Sequence, residues 1–297
     1  MAKTTANRIH IEYETSGEAS SPALLLICGL SNQLIEWDDA ICENFARQGY
    51  YVIRFDNRDA GLSTRFEKAG RPDIMATMAS VMNKETVIPP YTLEAMADDA
   101  AGLLDAIGIE RAHICGMSMG GMIAQTFALR HPSRTLSLTS IYSTTGNPEL
   151  PGPEPRALEV VITPPPHERI KFIENYIKIY RTFAGNGIPF DEEYHRELGA
   201  RYFDRSFYPE GTGRQLLAIM LQPDRKPLLS KLSVPTLVIH GDQDPLVPLV
   251  CGKDTAEAVP GAEMIVIEGM GHELPRMNSY WNRISEAVIA HIKKVRP

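Results

Sequence analysis

The chain has 297 residues, enough to bury a large core, and we expect one α/β domain with an inserted subdomain rather than two independent domains. Its composition, 43% hydrophobic and 23% charged, is typical of an ordinary soluble globular protein. The net charge of -7 and the lack of a lysine- and arginine-rich run argue against a polyanion partner, so we expect no nucleic-acid binding.

The cysteines and the first residues of the chain indicate the cellular compartment. The cysteines are widely spaced without a C-x-x-C pair, which predicts reduced packing residues. Residues 1–13 lack the apolar core of a secretory signal, and no apolar run is long enough to cross a bilayer. We therefore expect a cytoplasmic protein with no membrane partner. The cysteines are Cys28, Cys42, Cys115 and Cys251.

Short β-rich runs alternate with helical patterns along most of the chain. Residues 8–13 alternate in polarity and predict a half-exposed edge strand. The later runs are continuously apolar, which predicts an α/β fold whose mostly parallel sheet is covered by helices on both faces. Residues 279–294 predict a last helix with Trp281 and Ile284 on its apolar stripe. The apolar strands are predicted at 23–27, 50–55, 113–115, 136–141, 236–240 and 264–267.

The alternation of strands and helices stops at residues 144–231. This region opens with a proline-rich stretch, contains a triple proline and otherwise shows helical periodicity. We interpret it as a mostly helical cap, or lid, inserted between two strands of a core formed by residues 1–143 and 232–297. Such an insertion would lie over the carboxyl edge of the sheet, where ligands bind in open α/β folds.

A serine between two glycines stands at a predicted strand-to-helix junction. The pentapeptide Gly116-Met117-Ser118-Met119-Gly120 follows the strand at 113–115 and precedes a helical run at 121–130. The bare pattern is common by chance, but this context is that of a nucleophile elbow, in which a tight turn exposes the serine hydroxyl. The sequence therefore predicts Ser118 as a catalytic nucleophile.

Such a serine needs a histidine to take its proton and a carboxylate to orient that histidine. In the order Ser, acid, His, each partner should follow a late strand. His272 lies in a glycine-flanked loop after the last predicted strand and is the candidate base. Asp242 and Asp244 both follow the preceding strand, and the turn at Asp244-Pro245 favours Asp244 as the acid. Asp242 is more consistent with a turn or capping role.

Backbone amides are expected to stabilise the oxyanion of a tetrahedral intermediate. One is the amide of Met119, which follows the nucleophile, and the other is the amide of Leu30, in the loop after the strand at 23–27. Gly29 would allow the backbone to approach closely there. The sequence has no His-Glu-x-x-His motif, Cys/His cluster or acidic metal loop, so we expect no metal and no other cofactor.

These motifs together resemble the α/β-hydrolase superfamily, in particular its cap-bearing serine esterases, over nearly the whole chain. Residues 54–63 are similar to the family segment Arg-x-Asp-x-Arg-Gly-x-Gly-x-Ser, with Asp59 in place of the first glycine. Within that segment we assign Asp56, Arg58 and Ser63 a structural role. The resemblance implies the α/β-hydrolase fold and a Ser-His-Asp mechanism.

Within the superfamily the chain resembles the anthracycline methylesterases. Their Asp-Pro and Gly-Met-Gly-His patterns match residues 244–245 and 269–272 of this sequence. The resemblance implies Asp244 rather than Asp242 as the acid. Cys28 stands where many members have a histidine before the glycine, which makes the loop ahead of the oxyanion hole less polar.

Methionines cluster around the motif positions and predict an apolar binding site that accepts varied acyl groups. Aromatic residues of the cap region are expected to contribute to the same cavity. The predicted substrate-binding residues are Met117, Met122, Met220, Leu246 and Met270, and the aromatic residues are Tyr176, Tyr180, Phe183, Tyr202 and Phe203.

The sequence thus predicts a cofactor-free carboxylic ester hydrolase that works through an acyl-enzyme intermediate. Its expected partners are small to medium acyl esters and lactones such as N-acyl-homoserine lactones, since ring opening uses the same chemistry. A C–C bond hydrolase or a perhydrolase on the same fold is an alternative. A ligand receptor without useful turnover is another, and the oligomeric state is not determined by the sequence.

Overall fold

The computed structural model describes residues 2–273 and 279–295. Its strands form one eight-stranded sheet. In chain order they are β1 (Ala2–Ala6), β2 (Ile9–Ser16), β3 (Ala23–Ile27), β4 (Tyr51–Phe55), β5 (Ala112–Met117), β6 (Thr135–Ile141), β7 (Thr236–Gly241) and β8 (Glu263–Ile267). The spatial order is β1-β2-β4-β3-β5-β6-β7-β8. Among the described strands, only the pairs β1·β2 and β2·β4 are antiparallel, so the mostly parallel sheet predicted from the apolar runs is confirmed.

The strand predicted at the edge lies inside the sheet, and that expectation was wrong. β2 pairs with β1 on one side and with β4 on the other. Asn7 and Arg8 join β1 to β2 with φ values of 47° and 66°, the two positive values that a tight hairpin turn requires. The alternating polarity of residues 8–13 shows only that one face is solvated, and it does not reveal the short polar strand that covers the outer edge.

Helices cover both faces of the sheet and also fill the segment between β6 and β7. The helices are α1 (Asp39–Arg47), α2 (Ile74–Met82), α3 (Leu93–Ala106), α4 (Met119–Arg130), α5 (Pro155–Ile162), α6 (Arg169–Phe183), α7 (Glu192–Ser206), α8 (Pro209–Met220), α9 (Lys226–Leu229), α10 (Leu249–Ala258) and α11 (Ser279–Lys293). Short 3-10 helices occur at Leu34–Glu36, Glu67–Ala69 and Pro132–Arg134. In the described part of the chain, no helix has the length and apolar character needed to cross a membrane.

The apolar strands are buried on both faces because successive side chains point to opposite sides. Leu25 and Ile27 of β3 belong to a core cluster with residues of α3 and α4. Leu24 and Leu26 belong to a second cluster on the other face, with residues of α1 and α11. In α11 the predicted stripe is confirmed, since Trp281 and the residues that continue its face are fully buried in that second cluster.

Helices α5 to α9 lie between β6 and β7, in the segment that the break in alternation marks as a helical insertion. Tyr176 of α6 and Tyr202 of α7 pack against Leu34 and Ile35, which follow β3. The inserted helices therefore contact the loop at the carboxyl end of a central strand. The boundaries predicted for this region, 144 and 231, stay a prediction.

Candidate active site

The serine of the predicted elbow lies in a strained turn between β5 and α4. Ser118 has φ 54° and ψ -122°, a conformation that residues with a side chain rarely adopt. The turn needs glycines beside it, because a Cβ on Gly116 would overlap the carbonyl group of Gly120, and one on Gly120 would overlap the carbonyl oxygen of Ile27. The Ser118 amide donates to the carbonyl of Ile141 at 2.9 Å, and the serine itself lines a cavity.

His272 connects this serine to a carboxylate. Its Nε2 lies 2.9 Å from Ser118 Oγ, and its Nδ1 lies 2.6 Å from Asp244 Oδ2. An ionised aspartate accepts hydrogen bonds only, so Nδ1 is the protonated nitrogen and Nε2 is free to accept the serine proton. The imidazole packs against the ring of Tyr142, with 4.6 Å between the ring centroids. These contacts hold the imidazole in the orientation that a general base needs.

Asp244 is buried and its carboxylate is held from both sides. Its Oδ1 accepts the backbone amides of Leu246 at 2.8 Å and Val247 at 2.7 Å, while Oδ2 faces His272. Burial by itself would raise the pKa of Asp244, but the charge of His272 and the hydrogen bonds from His240 and His272 outweigh it and lower the pKa to about 2. The carboxylate is therefore ionised throughout the neutral range.

The competing aspartate has a different position. Asp242 is exposed, and its Oδ1 accepts the amide of Gly269 at 2.6 Å. This hydrogen bond joins the loop after β7 to the loop that carries His272. The structure therefore brings Asp244 and not Asp242 into contact with the imidazole, and it gives Asp242 a turn-stabilising contact.

The two predicted oxyanion donors flank the serine. Met119 is the first residue of α4, a position where helical amides have no acceptor within the helix. Leu30 lines the same cavity as Ser118, and the adjacent Gly29 lies so close to the serine that an added Cβ would be 3.3 Å from Ser118 Cβ. Leu30 and Met119 thus lie on the two chain segments next to the nucleophile, and their role as oxyanion donors stays a prediction.

The cavity in front of Ser118 encloses about 180 Å³ and is mainly apolar and aromatic. No lysine or arginine is among the described residues that line it, whereas Glu36 and Asp59 are. Within residues 2–273 and 279–295, no three His, Cys, Asp or Glu side chains are grouped so that they could hold a metal ion. The aromatic lining consists of Tyr142, Phe172, Tyr176, Tyr180, Phe183, Tyr202, Phe207 and Tyr208.

The structure divides the predicted substrate-binding residues into two groups. Met117 and Leu246 line the cavity. Met122 and Met270 are buried in the two core clusters on opposite faces of the sheet, and Met220 lies at the end of α8 away from the lining. These three predicted residues are not among the described lining residues, because proximity to a motif in sequence does not determine on which side of a strand or helix a side chain points. Of the predicted cap aromatics, Phe203 is likewise not among the lining residues.

Sequence reasoning missed Glu36, a carboxylate in the cavity wall. Its side chain lies at the end of the 3-10 helix Leu34–Glu36 and contacts hydroxyl groups of tyrosines in α6 and α7. A possible signal was an acidic residue within the apolar run Leu34-Ile35-Glu36-Trp37. A single charge in such a run is also typical of an exposed helix position, so the pattern did not distinguish the two.

The segment at the end of α6 packs tightly on the loop that carries His272. The backbone amide of His272 donates to the carbonyl of Phe183 at 2.8 Å, and the amide of Gly185 lies 3.2 Å from both carboxylate oxygens of Glu273. Burial raises the pKa of Glu273 to about 7, although the amides of Gly185 and Gly271 favour its ionised form. The loop that positions the imidazole is thus supported directly by the inserted region.

The residues assigned a structural role after β4 make structural contacts. Asp56 accepts the backbone amides of Leu34 at 2.7 Å and Leu62 at 2.8 Å. Arg58 forms a buried ion pair with Asp99, with 2.6 Å between Nε and Oδ2. These contacts shape the loop behind the cavity and do not reach Ser118.

Comparison with known proteins identifies the family. Residues 22–275 match the family model described as alpha/beta hydrolase fold. Rhodomycin D methylesterase DauP of Streptomyces sp. (strain C5) is 28% identical over 97% of both chains. A 2-hydroxy-6-oxononadienedioate/2-hydroxy-6-oxononatrienedioate hydrolase of Paraburkholderia phymatum is 29% identical over 89% of this chain and 85% of its own. Among solved structures, a thermophilic esterase from Thermogutta terrifontis is 26% identical, with a TM-score of 0.70 and coverage of 100% of this chain and 99% of its own.

Proposed function

The chain belongs to the alpha/beta hydrolase fold family, and from this premise we propose that it is a serine hydrolase of carboxylic esters. The observation that carries the proposal is the hydrogen-bonded series from Ser118 Oγ through His272 to Asp244, at the wall of an apolar cavity. The methylesterase relative supports the same reaction class.

In the proposed mechanism His272 Nε2 takes the Ser118 proton as Oγ attacks the ester carbonyl carbon. The amides of Leu30 and Met119 stabilise the negative oxygen of the tetrahedral intermediate. When the ester C–O bond breaks, the imidazolium gives its proton to the leaving alkoxide, and the acyl group stays on Oγ. Water, deprotonated by the same imidazole, then attacks the acyl carbon, and the imidazolium returns its proton to Ser118 Oγ as the carboxylic acid leaves. Ionised Asp244 stabilises each imidazolium that forms.

The charges in the cavity wall favour neutral ester substrates over the anionic substrates of a C–C bond hydrolase. A dioate substrate, as named for the Paraburkholderia phymatum relative, carries two negative charges. Here two carboxylates and no lysine or arginine belong to the described lining, so an anionic acyl chain would meet no opposite charge. Neutral lactones remain within the proposal, because ring opening follows the same steps. We further propose that residues 144–231 act as the cap over this site and residues 1–143 and 232–297 as the core.

The test is turnover together with covalent labelling. We expect hydrolysis of p-nitrophenyl butyrate and of simple methyl esters, unaffected by EDTA, and a phosphonate adduct at Ser118 identified by peptide mass spectrometry. Tight binding of the esters without turnover would support a receptor and contradict the proposal. An adduct at another residue would contradict the assignment of the nucleophile.

A further inference from the structure

Glu36 presents a buried carboxylate to the substrate cavity. The residue is only 3% exposed, yet it belongs to the cavity wall. Tyr180 donates to its Oε1 at 2.9 Å, and Tyr202 and Tyr176 donate to its Oε2. The tyrosines come from α6 and α7, so the carboxylate and its donors meet where the inserted helices face the core.

Among the described residues, no positively charged side chain forms an ion pair with the Glu36 carboxyl group. Asp59, the other acidic residue in the wall, is paired with Arg214 at 2.8 Å. The hydrogen-bond partners of Glu36 are instead neutral hydroxyl groups. Burial raises the pKa of Glu36, and the hydrogen bonds from the tyrosines act in the opposite direction.

The cluster can accept further hydrogen bonds but has few protons left to give. A phenol has one proton, and Tyr176, Tyr180 and Tyr202 use theirs on Glu36. A carboxylate has about four acceptor positions, of which the tyrosines occupy three. The wall at this point is therefore rich in hydrogen-bond acceptors, and aromatic rings surround it.

Because the proposed ester hydrolysis brings a substrate into this cavity, we propose that the Glu36–Tyr176–Tyr180–Tyr202 cluster is a specificity subsite. It binds a hydrogen-bond-donating group of the substrate, a hydroxyl or an ammonium, and it rejects a carboxylate. A donor completes the acceptor capacity of Glu36, and an ammonium also interacts favourably with the tyrosine rings. A carboxylate only accepts hydrogen bonds, and the tyrosine protons that could bind it are already used on Glu36. This inference rests on the proposed function.

The experiment compares methyl esters of matched chain length that end in a methyl, hydroxyl, ammonium or carboxylate group. For the wild type, at the best chain length, we expect kcat/KM for the hydroxyl or ammonium ester to exceed that of the methyl-ended ester by about tenfold. The carboxylate ester should be the poorest substrate. Hydroxyl and ammonium esters separate a neutral donor from a cationic one.

Glu36→Gln replaces the carboxylate with an amide that also donates. We expect it to reduce the preference for donor-bearing esters by about tenfold and to narrow the penalty against the carboxylate ester. The control is Glu197→Gln, the same chemical change at an exposed position of α7, which should leave the ratios as in the wild type. Tyr176→Phe keeps the ring but removes one donor to Glu36, so it should maintain or increase the preference for donors.

The outcomes separate the two proposals. If wild type and Glu36→Gln hydrolyse the esters with the same ratios, the subsite is disproved and the hydrolase proposal stands. If Glu36→Gln does not fold, loss of the donor preference in Tyr176→Phe disproves the subsite. If the wild type hydrolyses none of the esters, the proposed function fails. The subsite is then tested by calorimetric binding of the same esters to Ser118→Ala and to Ser118→Ala/Glu36→Gln, where equal affinities would overturn it.

Discussion

Asp59 and Arg214 form a buried bidentate ion pair between the core and α8. Arg214 Nε lies 2.8 Å from Asp59 Oδ2, and the second guanidinium nitrogen lies 2.9 Å from Oδ1, with both side chains inaccessible to solvent. Asp59 has φ 63°, at the position where the family segment has a glycine. The departure from the family pattern therefore supplies the carboxylate that holds an inserted helix on the core.

We expect Arg214→Met to destabilise the protein by about 3–5 kcal/mol, because it leaves the Asp59 carboxylate buried without its partner. Asp59→Asn/Arg214→Met should cost much less than the sum of the two single substitutions, since it removes both charges. Urea denaturation of the four proteins measures this coupling. Additive costs would show that the pair does not act as a unit.

Ser118→Ala should fold normally and lose roughly three orders of magnitude or more in ester hydrolysis, since nucleophile and base act together. Alanine keeps the Cβ and the same backbone conformation and loses only the hydroxyl, so the circular dichroism spectrum and melting temperature should match those of the wild type. Activity above about a tenth of the wild-type rate would contradict the assignment of the nucleophile.

Asp244→Asn should reduce turnover by roughly 10⁴-fold, because an amide cannot hold the imidazole tautomer in which Nδ1 carries the proton. Asp242→Asn, two residues away, is the matched control. It weakens only the hydrogen bond from Gly269 and should cost about 1 kcal/mol of stability. The kcat values of both variants show which aspartate acts as the acid. Loss of activity in Asp242→Asn with activity retained in Asp244→Asn would transfer the acid role to Asp242.

Glu273 should make stability depend on pH. Its pKa is raised from 4.5 to about 7, so its protonated form favours the folded state. That contribution is fully present below pH 4.5 and is lost as the pH rises through 7. Since one pKa unit corresponds to about 1.4 kcal/mol, the wild type should lose about 3 kcal/mol relative to Glu273→Gln across this range. Urea denaturation of both proteins at about pH 4 and about pH 8 tests this prediction. A difference in unfolding free energy between wild type and Glu273→Gln that stays the same at both pH values would refute it.

Gly120→Ala should prevent folding or cost more than about 4 kcal/mol, because its Cβ would overlap the backbone of Ile27 and Cys28. Gly152→Ala is the control. Gly152 is exposed, and a Cβ there would meet nothing within 4 Å. The soluble yield and the melting temperature of the two variants are to be compared. Equal stability would show that the elbow has room for a Cβ at residue 120.

Local patterns in the sequence were sufficient to predict the apolar parallel strands and to nominate the residues at the proposed triad positions. Continuous apolar runs identify buried parallel strands because both strand faces must be covered. The glycines beside Ser118 and the Asp-Pro turn at Asp244 identify strand ends because they encode backbone geometry within a few residues. Such signals depend on near neighbours in the chain, so they can be recognised in the sequence without knowledge of the tertiary structure.

Contacts between distant segments were decided only by the tertiary structure. β2 lies inside the sheet because the polar strand β1 pairs with its outer edge. Met122 and Met270 are core residues because the backbone directs their side chains into the core clusters and away from the cavity. Glu36 belongs to the cavity wall because tyrosines from α6 and α7, distant in sequence, bind its carboxyl group. In the sequence Asp59 is only a departure from the family pattern in a loop, and its role is evident from the ion pair with Arg214 in the folded protein. The environment of each of these side chains is set by residues far away in sequence, and the burial of a charge has no local pattern.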